Sequence, residues 1–545
     1  MGANCYLIGG TRVLTQSAAR LLDAGVAIEG ILSDDPAVAV WAEAHAVPVL
    51  DPGGDLVPVL SDRPFDYLFS MVNFRILPGP VLDLPKIAAI NFHDGPLPRY
   101  SGSHVPAWAL YEGATRHAAT WHLMTEAVDA GGVLLERWFP IRDHATALSL
   151  TYEAAEVGIE LFADLVPYVA RRTLPEVLDT GDRERRFYRR SARMASGGVL
   201  HAGTTAAEAV RLVRALDYGS FPNPLGVPAL VTEQGAVHTR QARLIPRDDP
   251  RAGTTVLSVT STAITLAAPD ADLVLSDWRA VDGSTLSGQA AAQRLGIAPG
   301  SPLPAVSRER LADIADAQKR LRPHEPWWRA RLEDVRPAPL PADDFSAATA
   351  HYGHYELAYV PASRDESVTV LRAFLAAVAE RVGEETFDFA WSPSAARALA
   401  ERTHGMTAAR FPVRFDGGTA RTLRERLDEA AARHGYVGDL EIRLGLAGRP
   451  LGADEPSFTR VMVMERAAGE EASAEPHTEI ALLCLVDGPP TIFVRETAMG
   501  EDEALEFVER VEDLAMAALL QGDEPPAGLP SAATGESAPP SSAED

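Results

Sequence analysis

Three side chains in the first quarter of the chain have the types and spacing that chemistry at a carbonyl carbon needs. Asn91 and His93 end the apolar run AAINFH, and Asp129 follows 36 residues after His93 in the loop TEAVDAGG. Residues two apart on a strand project to one side, so Asn91 and His93 share a face. An amide can donate to a developing oxyanion. An imidazole exchanges protons near neutral pH, and a nearby carboxylate orients it and favours its charged form. The next residues, Asp94 to Arg99, include two prolines and a glycine, which makes an ordered turn and not a helix. An Asn–His pair in a chain with 14 histidines can equally be structural, and spacing alone leaves both readings open.

Other chemistries fit less well. There is no G-x-S-x-G elbow for a serine hydrolase. His93, His104, His117 and His122 are spaced by 11, 13 and 5, which matches no zinc helix or hairpin pattern, so no metal is expected. The N-terminal IGGTRV lacks the G-x-G-x-x-G fingerprint, and Asp34 and Asp35 without those glycines support a dinucleotide site only weakly.

The elements that would hold these residues alternate between apolar strands and helical patterns. Strands are expected at 5–10, 27–33, 47–50, 66–72 and 87–93, with helices at 15–24, 35–46 and 147–171. Asp129 lies between two further strands. Such alternation implies an α/β, doubly wound parallel sheet with its site at the carboxyl ends of the strands. The run DTGDRERRFYRRSAR, with six arginines between Arg183 and Arg193, reads either as a solvated linker or as an anion contact. From Thr204 to about Leu303 a helix at 206–215 precedes short strands, including 254–259 and 263–267, as in a small β-rich, barrel-like domain. A helical segment at 307–332 leads to the proline linker RPAPLPADD. Beyond it helices (368–382, 422–434, 502–520) mix with strands (458–465, 479–486, 491–496). The final stretch is acidic and rich in Pro and Ser, and is expected to be disordered.

Composition narrows the function. The 545 residues carry 50 basic and 76 acidic side chains, a net charge of −26. That balance opposes nucleic acid or an anionic membrane as the main partner. Two distant cysteines, Cys5 and Cys484, build no disulfide framework. No apolar run reaches the ~20 residues of a membrane helix, and a basic, apolar leader is missing. A cytoplasmic, multidomain protein is expected.

Residues 1–180 resemble the folate-dependent formyltransferases. Their Asn-x-His, following turn and distant Asp in a glycine-bearing loop are matched by Asn91-Phe92-His93, by Asp94-Gly95-Pro96-Leu97-Pro98 and by Asp129-Ala130-Gly131-Gly132. Where the family commonly has serine in the turn, this chain has Asp94-Gly95. The resemblance implies a Rossmann-like catalytic domain with Asn91, His93 and Asp129 catalytic, 10-formyltetrahydrofolate as co-substrate and no metal. It places the folate contacts at Phe74, Arg75, Ile76, Leu77, Val128 and Gly131. The segment RALDYGSFPNPLG (214–226) resembles the family's small C-terminal β-domain in members associated with peptide synthetases. HEPWWRARL and the sequence after it are similar to the second lobe of a condensation domain, without a His-His-x-x-x-Asp-Gly motif. The domains implied are 1–180 (catalytic), 181–305 (small, β-rich), 306–524 (α+β condensation-like lobe) and 525–545 (acidic tail). The acceptor implied is a small-molecule amine or a carrier-protein-bound aminoacyl group, with a synthetase or carrier protein as a possible partner. An inactive folate-binding scaffold is the further alternative.

Overall fold

The computed structural model describes residues 2–194, 197–340, 351–445, 458–466, 478–485 and 489–521. The expected tail, 525–545, lies outside the described residues. The chain divides into two compact units: 1–230, 239–277 and 298–303 form the first, and 231–238, 278–297 and 304–545 the second.

The first unit is built on the strands β1 (Asn4–Gly9), β2 (Ala27–Leu32), β3 (Val49–Leu50), β4 (Tyr67–Met71), β5 (Ala88–His93), β7 (Arg116–Leu123) and β8 (Val133–Pro140), with a two-residue β6 (Ser101–Gly102) outside this sheet. Their order is β3-β2-β1-β4-β5-β7-β8. The first five pair in parallel through helical crossovers: α1 (Thr11–Asp23), α2 (Pro36–Ala44), α3 (Leu56–Ser61) and the single turn α4 (Gly79–Leu82).

The sheet is not wholly parallel, as the alternation implied. β5 pairs antiparallel with β7, and β7 with β8. After β5 the chain passes through α5 (Val105–Tyr111), but it enters β7 from the end where β5 finishes, so β7 must run back. A nine-residue loop then turns β7 into β8, a hairpin, which joins antiparallel strands only.

Alternation along β5 separates site from core. Ile90 and Phe92 face α1 and α6 (Ala147–Ala170) and pack with Trp121 and Phe162, while Ala89 packs on the opposite face with Leu68 and Leu77. Asn91 and His93 therefore lie on the side away from α6. Trp121 donates its indole N–H to the Gly158 carbonyl (3.0 Å), and a Cβ on Gly158 would stand 2.1 Å from the Phe92 ring. Only glycine lets α6 approach this closely. Thr146 and Ser149 form a capping box that starts α6. Further along, the strands Thr255–Val259, Ala263–Ala267 and Asp272–Arg279 form an antiparallel meander.

The second unit carries a six-stranded mixed sheet in the order Tyr352–Glu356, Thr491–Arg495, Ile480–Leu485, Val461–Arg466, Phe387–Ser392, Phe411–Phe415. The helices Arg364–Val382 and Glu501–Gln521 pack together, with Phe374 edge-on to Phe507 at 6.1 Å. The first of these helices ends at Val382. Gly383 takes a left-handed φ of 70° as the cap, and Phe387–Ser392 becomes a fully buried strand. Among the described residues no helix is long and apolar enough to cross a membrane.

Candidate active site

Three loops converge at one end of β4 and β5: 73–78 after β4, 94–100 after β5, and 124–132 between β7 and β8. The antiparallel register sets Asn91 opposite His122 and His93 opposite Thr120. Paired residues share a face, so these four polar side chains cluster on the surface opposite α6.

Hydrogen bonds from β7 and β5 hold the turn carbonyl by carbonyl. His117 Nε2 donates to Asp94 O (2.7 Å), Thr120 Oγ1 to Gly95 O (2.8 Å) and His93 Nε2 to Tyr100 O (2.5 Å). The last bond fixes the tautomer of His93. With Nε2 carrying the proton, Nδ1 is the basic nitrogen, and it lies 3.6 Å from Asp129 Oδ2. The carboxylate thus faces the atom that gains charge when His93 takes up a proton. The tautomer is thus set by the Tyr100 carbonyl, because the turn folds back over the imidazole.

Asp129 reaches this position with a left-handed φ of 53° and accepts from the Gly102 amide at 2.7 Å. Burial alone would raise its pKa, but His93, His122 and that amide hold the carboxyl well below the usual carboxylate range. His122 lies between Asn91 and Asp129. Its Nδ1 donates to the Leu123 carbonyl (2.8 Å), so its Nε2 accepts from Asn91 Nδ2 (3.1 Å), and Nε2 is 3.6 Å from Asp129 Oδ1. One N–H of Asn91 is thereby anchored and the other can donate elsewhere. The structure brings Asn91, His93 and Asp129 into one cluster, with Asn91 linked through His122.

The residues expected to contact folate are distributed differently. Phe74 and Ile76 are strongly exposed (74% and 68%), whereas the Leu77 side chain is buried with Leu68 and Val81. Arg75 donates to the Gly54 carbonyl (3.4 Å). The Val128 carbonyl accepts from Arg185 (2.7 Å), and Gly131 packs so tightly that a Cβ would meet the Leu123 carbonyl at 1.8 Å. Exposed apolar groups on the 73–78 loop suit a flat heteroaromatic ring. Leu77 and Gly131 have only their backbones to offer it.

The arginine run is not a solvated linker. Strand β9 (Phe187–Tyr188) pairs with β6. Arg183 donates to Leu97 O (3.0 Å) and to Glu136 (2.7 Å), and Arg190 sits 5.9 Å from the Phe74 ring centroid. The segment touches all three site loops, because their outward carbonyls and carboxylates need donors. His104 and His117 are held neutral: burial, ahead of nearby positive charge, lowers each to about 4.

Spacing missed His122, the Tyr100 carbonyl and Arg185. For His122 a signal existed in the alternation Ala118–Thr120–His122 against Ala119–Trp121. Asp35, the acid weighed for a dinucleotide, instead caps α2 through Ala37 N (2.9 Å) and accepts from Thr11 N (2.9 Å). No group of three His, Cys, Asp or Glu among the described residues could hold a metal ion.

Residues 40–166 match the family model described as formyl transferase. The chain is 34% identical over 134 residues to the methionyl-tRNA formyltransferase of Synechococcus sp. (strain JA-3-3Ab), covering 24% of this chain and 42% of that protein. It is 34% identical over 150 residues to the methionyl-tRNA formyltransferase of Citrifermentans bemidjiense, covering 26% and 47%. The chain thus spans less than half the length of these relatives. Among solved structures, a Helicobacter canadensis N-formyltransferase in complex with folinic acid and dTDP-3-aminofucose overlaps with a TM-score of 0.41 at 15% identity, over 51% of this chain and 99% of that one. HypX from Aquifex aeolicus overlaps with a TM-score of 0.36 at 18% identity, over 54% and 47%. Asn91, His93, His122 and Asp129 all fall within the residues that match the family model, while the arginine run lies beyond them.

Proposed function

We propose that this chain is an N-formyltransferase that moves the formyl group of 10-formyltetrahydrofolate to an amine of a secondary-metabolite precursor, either free or tethered to a carrier protein. The observation that carries this reading is the Asn91–His93–His122–Asp129 cluster, lying within residues that match the formyl transferase model. Phe74 and Ile76 would cover the pterin, and backbone groups of the 73–78 and 124–132 loops would bond its edge. The co-substrate supplies an activated formyl carbon. Asn91 donates its second N–H to the formyl oxygen as negative charge grows there, and removing such a donor costs ~10²–10³ in rate. His93 Nδ1 exchanges a proton near the reacting nitrogen, and Asp129 stabilises the cation formed.

On this reading 181–305 is the small β-rich companion domain, and 306–524 a condensation-like lobe that docks a carrier protein or synthetase. The test is a mass-spectrometric screen for a product heavier than its acceptor by one CO unit. The acceptors are free amino acids, amino sugars and carrier-tethered aminoacyl groups, each supplied with 10-formyltetrahydrofolate. A formylated product is expected. Bound folate with no transfer to any acceptor would favour the scaffold alternative.

A further inference from the structure

Asp94 follows His93 directly and is half-buried at the mouth of the turn. Its backbone is pinned, since its carbonyl accepts from His117 and that of Gly95 from Thr120. Its carboxylate is not. Among the described residues no Lys, Arg or His stands within ion-pair distance of it, and no side chain donates to it. The groups that face it are His93, Asp129 and, from the segment 214–226, Tyr218. Asp129, by contrast, is fully engaged by two imidazoles and an amide.

Beyond the influence of His93 and of its own amide, this partly buried carboxylate has no ion-pair partner, and the cost of its partial desolvation is relieved when a cation arrives beside it. The reaction read above brings such a cation, because an aliphatic amine reaches the site mostly as ammonium and must lose a proton before it can attack. We propose that Asp94, with Tyr218 beside it, binds the protonated amine of the acceptor and takes the proton that amine sheds. This rests on the N-formyltransferase reading.

The step balances. The ammonium gives one proton to the Asp94 carboxylate, and the freed lone pair forms the new C–N bond to the formyl carbon. The bond from that carbon to N10 of the folate breaks. Of the two protons the nitrogen loses, one ends on N10 and one reaches solvent. The sum is R–NH₃⁺ plus 10-formyltetrahydrofolate giving R–NH–CHO, tetrahydrofolate and H⁺. Asp94 suits the task better than Asp129, because burial pushes its carboxyl above the usual range while Asp129 is held below it. Tyr218 remains an uncharged phenol, as burial, with Asp94 nearby, raises it further than the facing Arg193 lowers it.

The test compares two small acceptors on the full chain: 2-aminoethanol, a cation at neutral pH, and hydroxylamine, which is uncharged there. For Asp94→Asn, which keeps the shape, the rate ratio of 2-aminoethanol to hydroxylamine is expected to fall about 100-fold. The gap should narrow as rising pH deprotonates 2-aminoethanol. For Tyr218→Phe the KM for 2-aminoethanol should rise about fivefold, the loss of one hydrogen bond. An unchanged ratio in Asp94→Asn, whether both rates fall together or neither falls, overturns the proposal. Wild-type protein that binds folate yet formylates neither these amines nor any acceptor of the wider screen would overturn the N-formyltransferase reading itself.

Discussion

Each unit holds a cluster of buried charge, and the two follow opposite rules. In the second unit the Arg443 side chain is fully enclosed; Glu325 meets it at 2.7 Å and Asp439 at 3.0 Å, with Arg322 3.7 Å from Glu325. In the first unit Asp129 lies 3.6 Å from each of two imidazoles, and Asp94 faces no counter-charge at ion-pair distance. The first arrangement leaves little for a ligand to improve, because pairing offsets desolvation. The second leaves Asp94 without an ion-pair partner, while its neighbour Asp129 is held by two imidazoles and the Gly102 amide. Incomplete pairing in a set of loops marks a place built to receive something.

Breaking each cluster should give opposite phenotypes. The largest expected effect is on catalysis: His93→Ala, or Asp129→Ala, should lower formyl transfer by about 10²–10⁴ while the circular dichroism spectrum stays native. Near-normal turnover in both would remove the cluster from the chemistry. In the second unit, Glu325→Ala strips Arg443 of its closest partner. It should lower stability by about 3–5 kcal/mol in urea unfolding, with transfer per folded molecule unchanged. Equal stability would make that cluster dispensable.

Smaller effects sharpen the contrast. His122→Ala releases one anchor of Asn91 and should cost about 1 kcal/mol of transition-state stabilisation, roughly a fivefold fall in rate. The pH dependence has a definite sign. His104 and His117 are depressed from 6.5 to about 4, so the stability of their neutral forms is complete above 6.5 and lost as pH falls towards 4. Melting temperature should fall over that interval, and less steeply in His117→Gln. Smallest of all, Asp129 is depressed and Asp94 raised, so at neutral pH Asp129→Asn should destabilise and Asp94→Asn slightly stabilise. Melting temperatures of the same sign for both would merge what the comparison separates.

Much of the first unit was readable from local pattern. The uncharged middles of β4 and β5 mark strands enclosed by helices, and the Asn91–His93 spacing places both on one face. Direction was harder. The antiparallel entry of β7 depends on where the chain stands after α5, which no window of sequence records. The strand Phe387–Ser392 is hard to read locally, because FDFAW is apolar except for Asp388 and too short to show either period clearly. The Gly383 stop was the cue. The arginine run stayed ambiguous because charge density is the same for a solvated segment and for one whose guanidinia meet carbonyls of neighbouring loops.

By itself the sequence determined the chemical inventory: an amide and an imidazole two apart, a carboxylate in a glycine-bearing loop, and strands stiff and apolar enough to hold them. These depend on residue type and on the two-residue period of a strand, which are local properties. Only the tertiary structure decided which nitrogen of His93 is basic, that His122 joins Asn91 to Asp129, and that Asp94 stands without an ion-pair partner near His93, Asp129 and Tyr218. Those outcomes depend on distances between residues from 7 to 36 or more positions apart. Such distances follow from how the turn after β5 folds back and how β7 is registered against β5, and electrostatic interaction changes steeply over the ångströms that register sets.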